Sequence, residues 1–247
     1  MADGFIRYVS LQKSFGEKRV LCGVNLEVGR GETVVVLGGS GSGKSVLIRH
    51  TIGLHRPDSG EVWVDGQRID AFDEEELIGT RKKVGMLFQA GALFDSMTVE
   101  ENVGYALREH TDWDPERIAA RISEVLGYVE LEDVEELMPS DLSGGMRKRV
   151  ALARAIALAP EAVLYDEPTT GLDPITANTI NLMIRGLQKR LGITSIVVTH
   201  DIHSAFTVGD RIAFLHDGRI EFDGTVDEAK QATEPLLRNF LQGGGYG

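Results

Sequence analysis

Residues 38–45 read GGSGSGKS and fit the pattern GxxxxGK[ST], with Gly38, Gly43, Lys44 and Ser45 at the fixed places. No other stretch constrains the fold as strongly, because the pattern works only where a strand enters it and a helix leaves it. Thr33-Val34-Val35-Val36-Leu37 reads as a buried strand, and Val46, Leu47, Ile48, Ile52 and Leu54 repeat at helical spacing behind the loop. Glycines let backbone N–H groups close around phosphate oxygens. The positive end of the following helix points at the same anion. Gly38, Gly39, Ser40, Gly41, Ser42, Gly43 and Val46 are therefore candidate phosphate-cradle residues, with Lys44 reaching the β- and γ-phosphates and the Ser45 hydroxyl ligating Mg²⁺. The motif implies a nucleoside triphosphate and says nothing of what its energy drives.

The remaining totals narrow the class. A chain of 247 residues suits one domain or two closely joined subdomains. A net charge of −12 argues against a dedicated nucleic-acid binder. The single cysteine, Cys22, forms no internal disulfide and reads as a small buried hydrophobe. The first ten residues lack a basic segment followed by an apolar run, so no signal peptide is visible. No stretch approaches the ~20 apolar residues of a membrane span; the nearest, Val150 to Tyr165, is interrupted by Arg154 and Pro160. The expectation is a soluble intracellular chain, with any membrane span supplied by another chain.

Along the chain, alternating residues from Phe5 to Leu11 and from Arg19 to Val28 predict strands that precede the phosphate loop as an antiparallel layer. Phe15, just before the Gly16-Glu17 turn, reads equally as an adenine-stacking ring or a hairpin aromatic. Glu61 to Asp65 reads as a strand, Asp73 to Arg81 as an acidic helix and Val84 to Gln89 as an apolar strand. Gln89, at that strand's carboxyl end, could touch a metal or a nucleophilic water, or simply cap a loop. Ala90 to Pro139 then changes character. Helical spacing at Val99-Val103-Leu107, Ile118-Ile122-Val125-Leu126 and Val129-Leu131-Val134-Leu137 predicts an inserted helical unit of about fifty residues.

Leu142-Ser143-Gly144-Gly145-Met146 opens another helix, with Ser143 as its N-cap. Ser143, Gly144 and Gly145 again expose N–H groups to an anion. The basic run Arg147-Lys148-Arg149 that follows reads as pairing with nearby carboxylates rather than with nucleic acid. Ala162 to Asp166 is a strand ending in an acid, followed by Glu167 and Pro168. Asp166 there can hold a Mg²⁺ shell, and Glu167 can polarise a water for in-line attack. Asp173 lies in the loop before a long helix, Ala177 to Leu191. His200 follows the buried strand Thr194 to Thr199, where ligands gather in parallel sheets. A hairpin around Asp217-Gly218, one or two helices within Val226 to Gln242 and a mobile glycine tail complete the chain.

The ordered set of phosphate loop, Gln89, LSGGM, Asp166-Glu167, Asp173 and His200 resembles the ATP-binding cassette (ABC) ATPases over almost the whole chain. The LSGG turn about twenty residues before the Asp-Glu strand carries the resemblance, since other P-loop ATPases lack it. The resemblance implies an α/β fold, a RecA-like P-loop NTPase core with an antiparallel β-subdomain and an inserted α-helical subdomain. Core and β-subdomain would span 1–89 and 160–225, the helical subdomain 90–159, and a C-terminal helix with its tail 226–247. It implies ATP and Mg²⁺ as ligands. It also implies a head-to-tail homodimer in which nucleotide lies between the phosphate loop of one copy and the Ser143 turn of the other.

Residue by residue, Phe15 matches the adenine-stacking aromatic, Lys44 the phosphate-binding lysine, Ser45 the Mg²⁺ ligand and Gln89 the Q-loop glutamine, a further metal contact. Ser143, Gly144 and Gly145 match the contact made in trans. Asp166 matches the metal-organising aspartate, Glu167 the general base, Asp173 the D-loop aspartate and His200 the switch histidine; Glu167, His200, Lys44 and Gln89 form the catalytic set. Met146 departs from the glutamine that usually ends the signature and offers no amide.

The stretch Gly85 to Thr111, with LMPSDLSGGM and ARAIALAPE, is similar to the ATPases of Mla-type phospholipid transporters. That similarity implies a peripheral subunit on the cytoplasmic face of the inner membrane. Its partners would be an integral-membrane permease, a mammalian-cell-entry (MCE) domain protein and a STAS-domain subunit. Residues 90–101, with Leu93, Phe94 and Met97 as exposed candidates, would meet the permease. Another importer ATPase, such as one for amino acids, is the alternative. A soluble ABC protein of DNA repair or translation would carry tandem cassettes, coiled coils or zinc cysteines, and none is present.

Overall fold

The computed structural model describes residues 4–243. The glycine tail read at 243–247 therefore lies, beyond Gly243, outside the described residues. The chain begins with a hairpin of β1 (Ile6–Phe15) and β2 (Lys18–Val28), then enters β3 (Thr33–Leu37) and, across the phosphate loop, α1 (Lys44–His50). β4 (Ser59–Val64), β5 (Gln67–Arg68), α2 (Glu74–Lys83) and β6 (Val84–Leu87) follow. The helical stretch holds α3 (Val99–His110), α4 (Pro115–Tyr128) and α5 (Gly144–Ile156). β7 (Ala162–Asp166), α6 (Pro174–Leu191), β8 (Thr194–Thr199), α7 (Ile202–Val208), β9 (Arg211–His216) and β10 (Arg219–Thr225) come next. The described chain closes with α8 (Val226–Lys230) and α9 (Pro235–Leu241).

The strands form two sheets. One is four-stranded and antiparallel in the order β2-β1-β4-β5; the other is six-stranded in the order β10-β9-β3-β8-β7-β6. In the second, β9, β3, β8, β7 and β6 run parallel, and only β10 runs against its neighbour. Period-two alternation splits its central strands between two cores. Val35, Leu37, Val163, Tyr165 and Val197 pack with the helices of the insertion and with α6. Val34, Val36, Leu164, Ile196 and Val198 pack with α1 and the antiparallel sheet. The parallel strands are buried on both faces, which is why β3, β7 and β8 read as unbroken apolar runs rather than alternating ones.

Local chemistry starts the helices where the sequence places them. Asp73 caps α2 and Thr98 caps α3, each in a capping box with Glu76 or Glu101. Asp114 and Asp173 cap α4 and α6 with a proline in the first turn. Between β9 and β10, Asp217 and Gly218 both adopt positive φ, 44° and 73°, the pair a tight hairpin requires.

One expected helix is absent. The helical spacing from Val129 to Leu137 does not form a helix. α4 stops at Tyr128, and Glu130 N–H bonds Gly127 O (3.2 Å) while Leu131 N–H bonds Leu126 O (3.1 Å). That is the two-bond end of a Schellman motif, with Glu130 at φ 55° in the left-handed position usually taken by glycine. Val129, Leu131 and Val134 still enter the core, so their spacing reported burial and not helix.

Candidate active site

Four of the parallel strands are ordered β3-β8-β7-β6, and the loops at their carboxyl ends line up in that order. The phosphate loop follows β3, His200 follows β8, Asp166 ends β7 with Glu167 just beyond, and Gln89 lies two residues past β6. These four strand ends thus converge on one edge of one sheet, as open α/β sheets require of their ligand sites. Ser40, Gly41, Lys44, Gln89, Glu167 and His200 line a cleft of about 420 Å³ there, walled on its far side by Lys18 and Val20 of β2.

The loop is built to approach an anion closely. Gly41 and Gly43 have φ of 78° and 105°, in the left-handed region. A Cβ on Gly43 would sit 2.9 Å from Val20 O, so no other residue fits between the loop and β2. α1 starts at Lys44, whose ammonium donates to Gly38 O and Gly39 O at 2.9 Å each and lies 3.5 Å from Glu167 Oε1. Burial draws that ammonium below the ordinary lysine value, with the Glu167 and Asp166 carboxylates pulling it back up.

Ser45 Oγ donates to Asp166 Oδ1 at 2.6 Å, and Arg49 reaches Asp166 Oδ2 at 3.3 Å. Asp166 is fully buried and does not itself line the cleft. With its proton committed to Asp166, the Ser45 hydroxyl offers only lone pairs to the cleft. Lone pairs on hydroxyl, carboxylate and amide oxygens are the hard donors Mg²⁺ prefers, so Ser45, Gln89 and, behind Ser45, Asp166 fit that ion.

Glu167 sits at φ 48°, a left-handed conformation that costs a non-glycine residue roughly 1–2 kcal/mol. Its N–H donates to Val198 O (2.9 Å), which fixes the backbone in place. Its carboxylate takes Thr170 Oγ1 at 3.1 Å, Thr199 Oγ1 at 3.5 Å and His200 Nδ1 at 2.9 and 3.0 Å. Strain held by such a cage is the form that functional residues take. Neither threonine was singled out by the sequence; Thr199 directly precedes His200, and Thr170 lies three residues past Glu167.

Other sequence candidates lie elsewhere. Ser143, Gly144, Gly145 and Asp173 line a second concavity, with Met146 and Arg149, that shares no residue with the cleft of Lys44. Ser143 caps α5 through Met146 N–H (3.2 Å), and Asp173 caps α6 through Ile175 and Thr176 N–H (3.0 and 3.1 Å). Phe15 is 46% exposed and edge-on to His55 at 5.4 Å. It does not line the cleft, although Lys18, its partner across the hairpin, does. Of the three residues expected to be exposed after Gln89, only Phe94 is. Leu93 is half-buried against the core of the insertion, and Met97 is half-buried. Phe94 instead stands 5.3 Å from Tyr105, in an apolar groove of about 480 Å³ that also takes in Leu54, Phe88, Ala155 and Leu158.

The basic run on α5 also departs from expectation. Arg147 donates to Leu142 O (2.5 Å) and Lys148 to Gln89 O, while Arg149 reaches Glu130 O (3.4 Å) and its carboxylate (3.8 Å). The chief partners are backbone carbonyls, which composition does not reveal.

The family model described as ABC transporter matches residues 21–170. The intermembrane phospholipid transport system ATP-binding protein MlaF of Escherichia coli K12 is 40% identical over 228 residues, 92% of this chain and 85% of its own. The chloroplastic protein Trigalactosyldiacylglycerol 3 of Arabidopsis thaliana is 40% identical over 259 residues, 98% of this chain and 74% of its own. A dimeric structure of the ATP-binding cassette MJ0796, in a post-hydrolysis state bound to ADP and Pi, superposes with a TM-score of 0.82 at 36% identity, covering 90% of this chain and 98% of that one.

Proposed function

The chain belongs to the ABC transporter family and hydrolyses ATP, and on that premise we propose that the work it drives is the movement of phospholipid between membranes. The observation that carries the lipid reading is the 40% identity, over 92% of this chain, to a protein named for phospholipid transport. Among the described residues no helix is long and apolar enough to cross a membrane. This chain sits peripherally on the cytoplasmic face of the inner membrane, against an integral-membrane permease. An MCE-domain protein and a STAS-domain subunit belong to the same assembly. The apolar groove around Phe94 and Tyr105 is the surface offered to the permease. The amino-acid importer reading is not favoured, since MlaF is named for phospholipid transport.

In the cleft, Lys44 and the backbone amides of residues 38–46 hold the β- and γ-phosphates of ATP. Ser45, with Asp166 behind and Gln89 alongside, would hold Mg²⁺, which would supply positive charge to the phosphate oxygens. Glu167, seated by Thr170, Thr199 and His200, takes the proton of the attacking water, and His200 faces the terminal phosphoryl group. The adenine stacks outside the phosphate cleft on Phe15, exposed on the hairpin whose Lys18 lines that cleft. The separation of the Ser143 turn and Asp173 from the Lys44 cleft supports a head-to-tail homodimer, in which each copy's Ser143, Gly144, Gly145 and Asp173 close on the other's nucleotide. Met146 contributes only its backbone there.

The test uses the tagged chain drawn from native membranes with its permease. Glu167→Gln should retain ATP binding and lower the complex's ATPase by ~10²-fold or more, and phospholipid should co-purify with the wild-type complex. Near-normal hydrolysis by Glu167→Gln would remove that residue from the mechanism. A complex carrying an amino-acid receptor and no phospholipid would overturn the lipid reading.

A further inference from the structure

α5 begins at the Ser143 turn and runs back beneath the loop that carries Gln89. Two of its cations reach that loop through backbone carbonyls. Lys148, only 7% exposed, donates from Nζ to Gln89 O. Six residues on, Arg154 donates to Gly91 O (3.0 Å) and Ala92 O (2.8 Å). Gly91 and Ala92 are both in the left-handed region, with φ of 78° and 50°, and a Cβ on Gly91 would lie 3.6 Å from the Ala151 Cβ of α5. The loop is therefore laid on the helix and tied at both ends by charged donors, the stronger class of hydrogen bond. Lys148 also lies within electrostatic reach of the site's acids. Burial pulls its ammonium below the ordinary lysine value, while the Asp166 and Glu167 carboxylates are near enough to pull it up.

We propose that Lys148 is a positioning residue for ATP hydrolysis: with Arg154 it straps the 89–92 loop to α5, so that Gln89 moves as one body with the Ser143 turn. The strap links the phosphate site a copy uses itself to the turn it lends to its neighbour. It also links both to Phe94, which lies two residues past the strapped loop and stands in the groove assigned to the permease. The step from strap to hydrolysis rests on the assignment of Gln89 to the phosphate site.

Lys148→Met keeps the buried stem and removes the donor. The Gly91 amide, which donates to Phe88 O at 2.8 Å, reports whether the loop stays folded on the helix. In the full chain, hydrogen exchange at Gly91 followed by NMR should speed by about tenfold or more. Misplacement of a positioned group of this kind costs about 10- to 100-fold in kcat, with KM for ATP held within about twofold. Lys148→Arg keeps the cation and should recover most of both. Arg154→Met, which cuts the other tie, should also speed Gly91 exchange and serves if Lys148→Met does not fold. Unchanged Gly91 exchange in the folded variants overturns the strap. Raised KM with intact kcat overturns it as a positioning device and makes Lys148 a nucleotide-binding group. Faster exchange with unaltered kcat leaves the strap standing and overturns Lys148 as a positioning residue for hydrolysis.

Discussion

His50 shows how a residue behind the phosphate loop sets a pH limit on the whole chain. It lies on the last turn of α1, 1% exposed, and its Nδ1–H donates to Val46 O at 2.7 Å. Nε2 is buried with no hydrogen-bond partner. A proton there would be charged, dry and set against Lys13 and the His55 ring 5.7 Å away. Burial first, then those neighbours, push its pKa from 6.5 down to about 4. The unfolded chain therefore binds a proton that the native chain refuses, and native stability falls as pH drops from the ordinary histidine value towards the lowered one. Between about pH 7 and about pH 5 this one group removes ~2 kcal/mol. Urea unfolding at both pH values should show wild type losing that much more than His50→Leu. Equal losses would mean the ring is hydrated or partnered in solution.

At the scale of elements, what could be read in advance followed from chemistry that acts over a few residues. The cap-and-box pairs Asp73–Glu76 and Thr98–Glu101 mark helix starts within four residues, and the apolar runs of β3, β7 and β8 mark doubly buried strands. Placing Glu167 and His200 near the phosphate loop needed only the rule about strand ends. Three features were not legible. The end of α4 depends on Glu130 taking a conformation that glycine normally supplies. The partner of Lys148 is a carbonyl 59 residues away, so nothing beside it in sequence reveals the bond. Leu93 is apolar in a loop, and only the packed insertion decides that it turns inward while Phe94 does not. The first of these carries an expected outcome. Glu130→Gly should remove the left-handed penalty and raise stability by about 1 kcal/mol, because the exposed pair with Arg149 that it gives up is worth little. Glu130→Val should move the unfolding midpoint the other way; destabilisation by both would show that the carboxylate matters more than the backbone.

At the scale of the molecule, two cores share one sheet, and the sheet's carboxyl edge collects one cleft while the start of α5 makes another. If the two clefts belong to different nucleotides, bulk at the second should block pairing without touching the first. In the Glu167→Gln background, Ser143→Arg should abolish ATP-dependent dimerisation, read as mass by light scattering, and leave the nucleotide affinity of the monomer within about threefold. A dimer that persists, or a monomer that loses its nucleotide, would sink the two-copy reading. On that reading the two separated hollows have a genetic consequence. A copy spoiled only in its lysine loop still lends a sound serine turn, and a copy spoiled only in its turn still brings a sound loop. Lesions carried on separate alleles therefore complement, leaving one working seat in each mixed pair, whereas the same two lesions on a single allele, paired with itself, leave none.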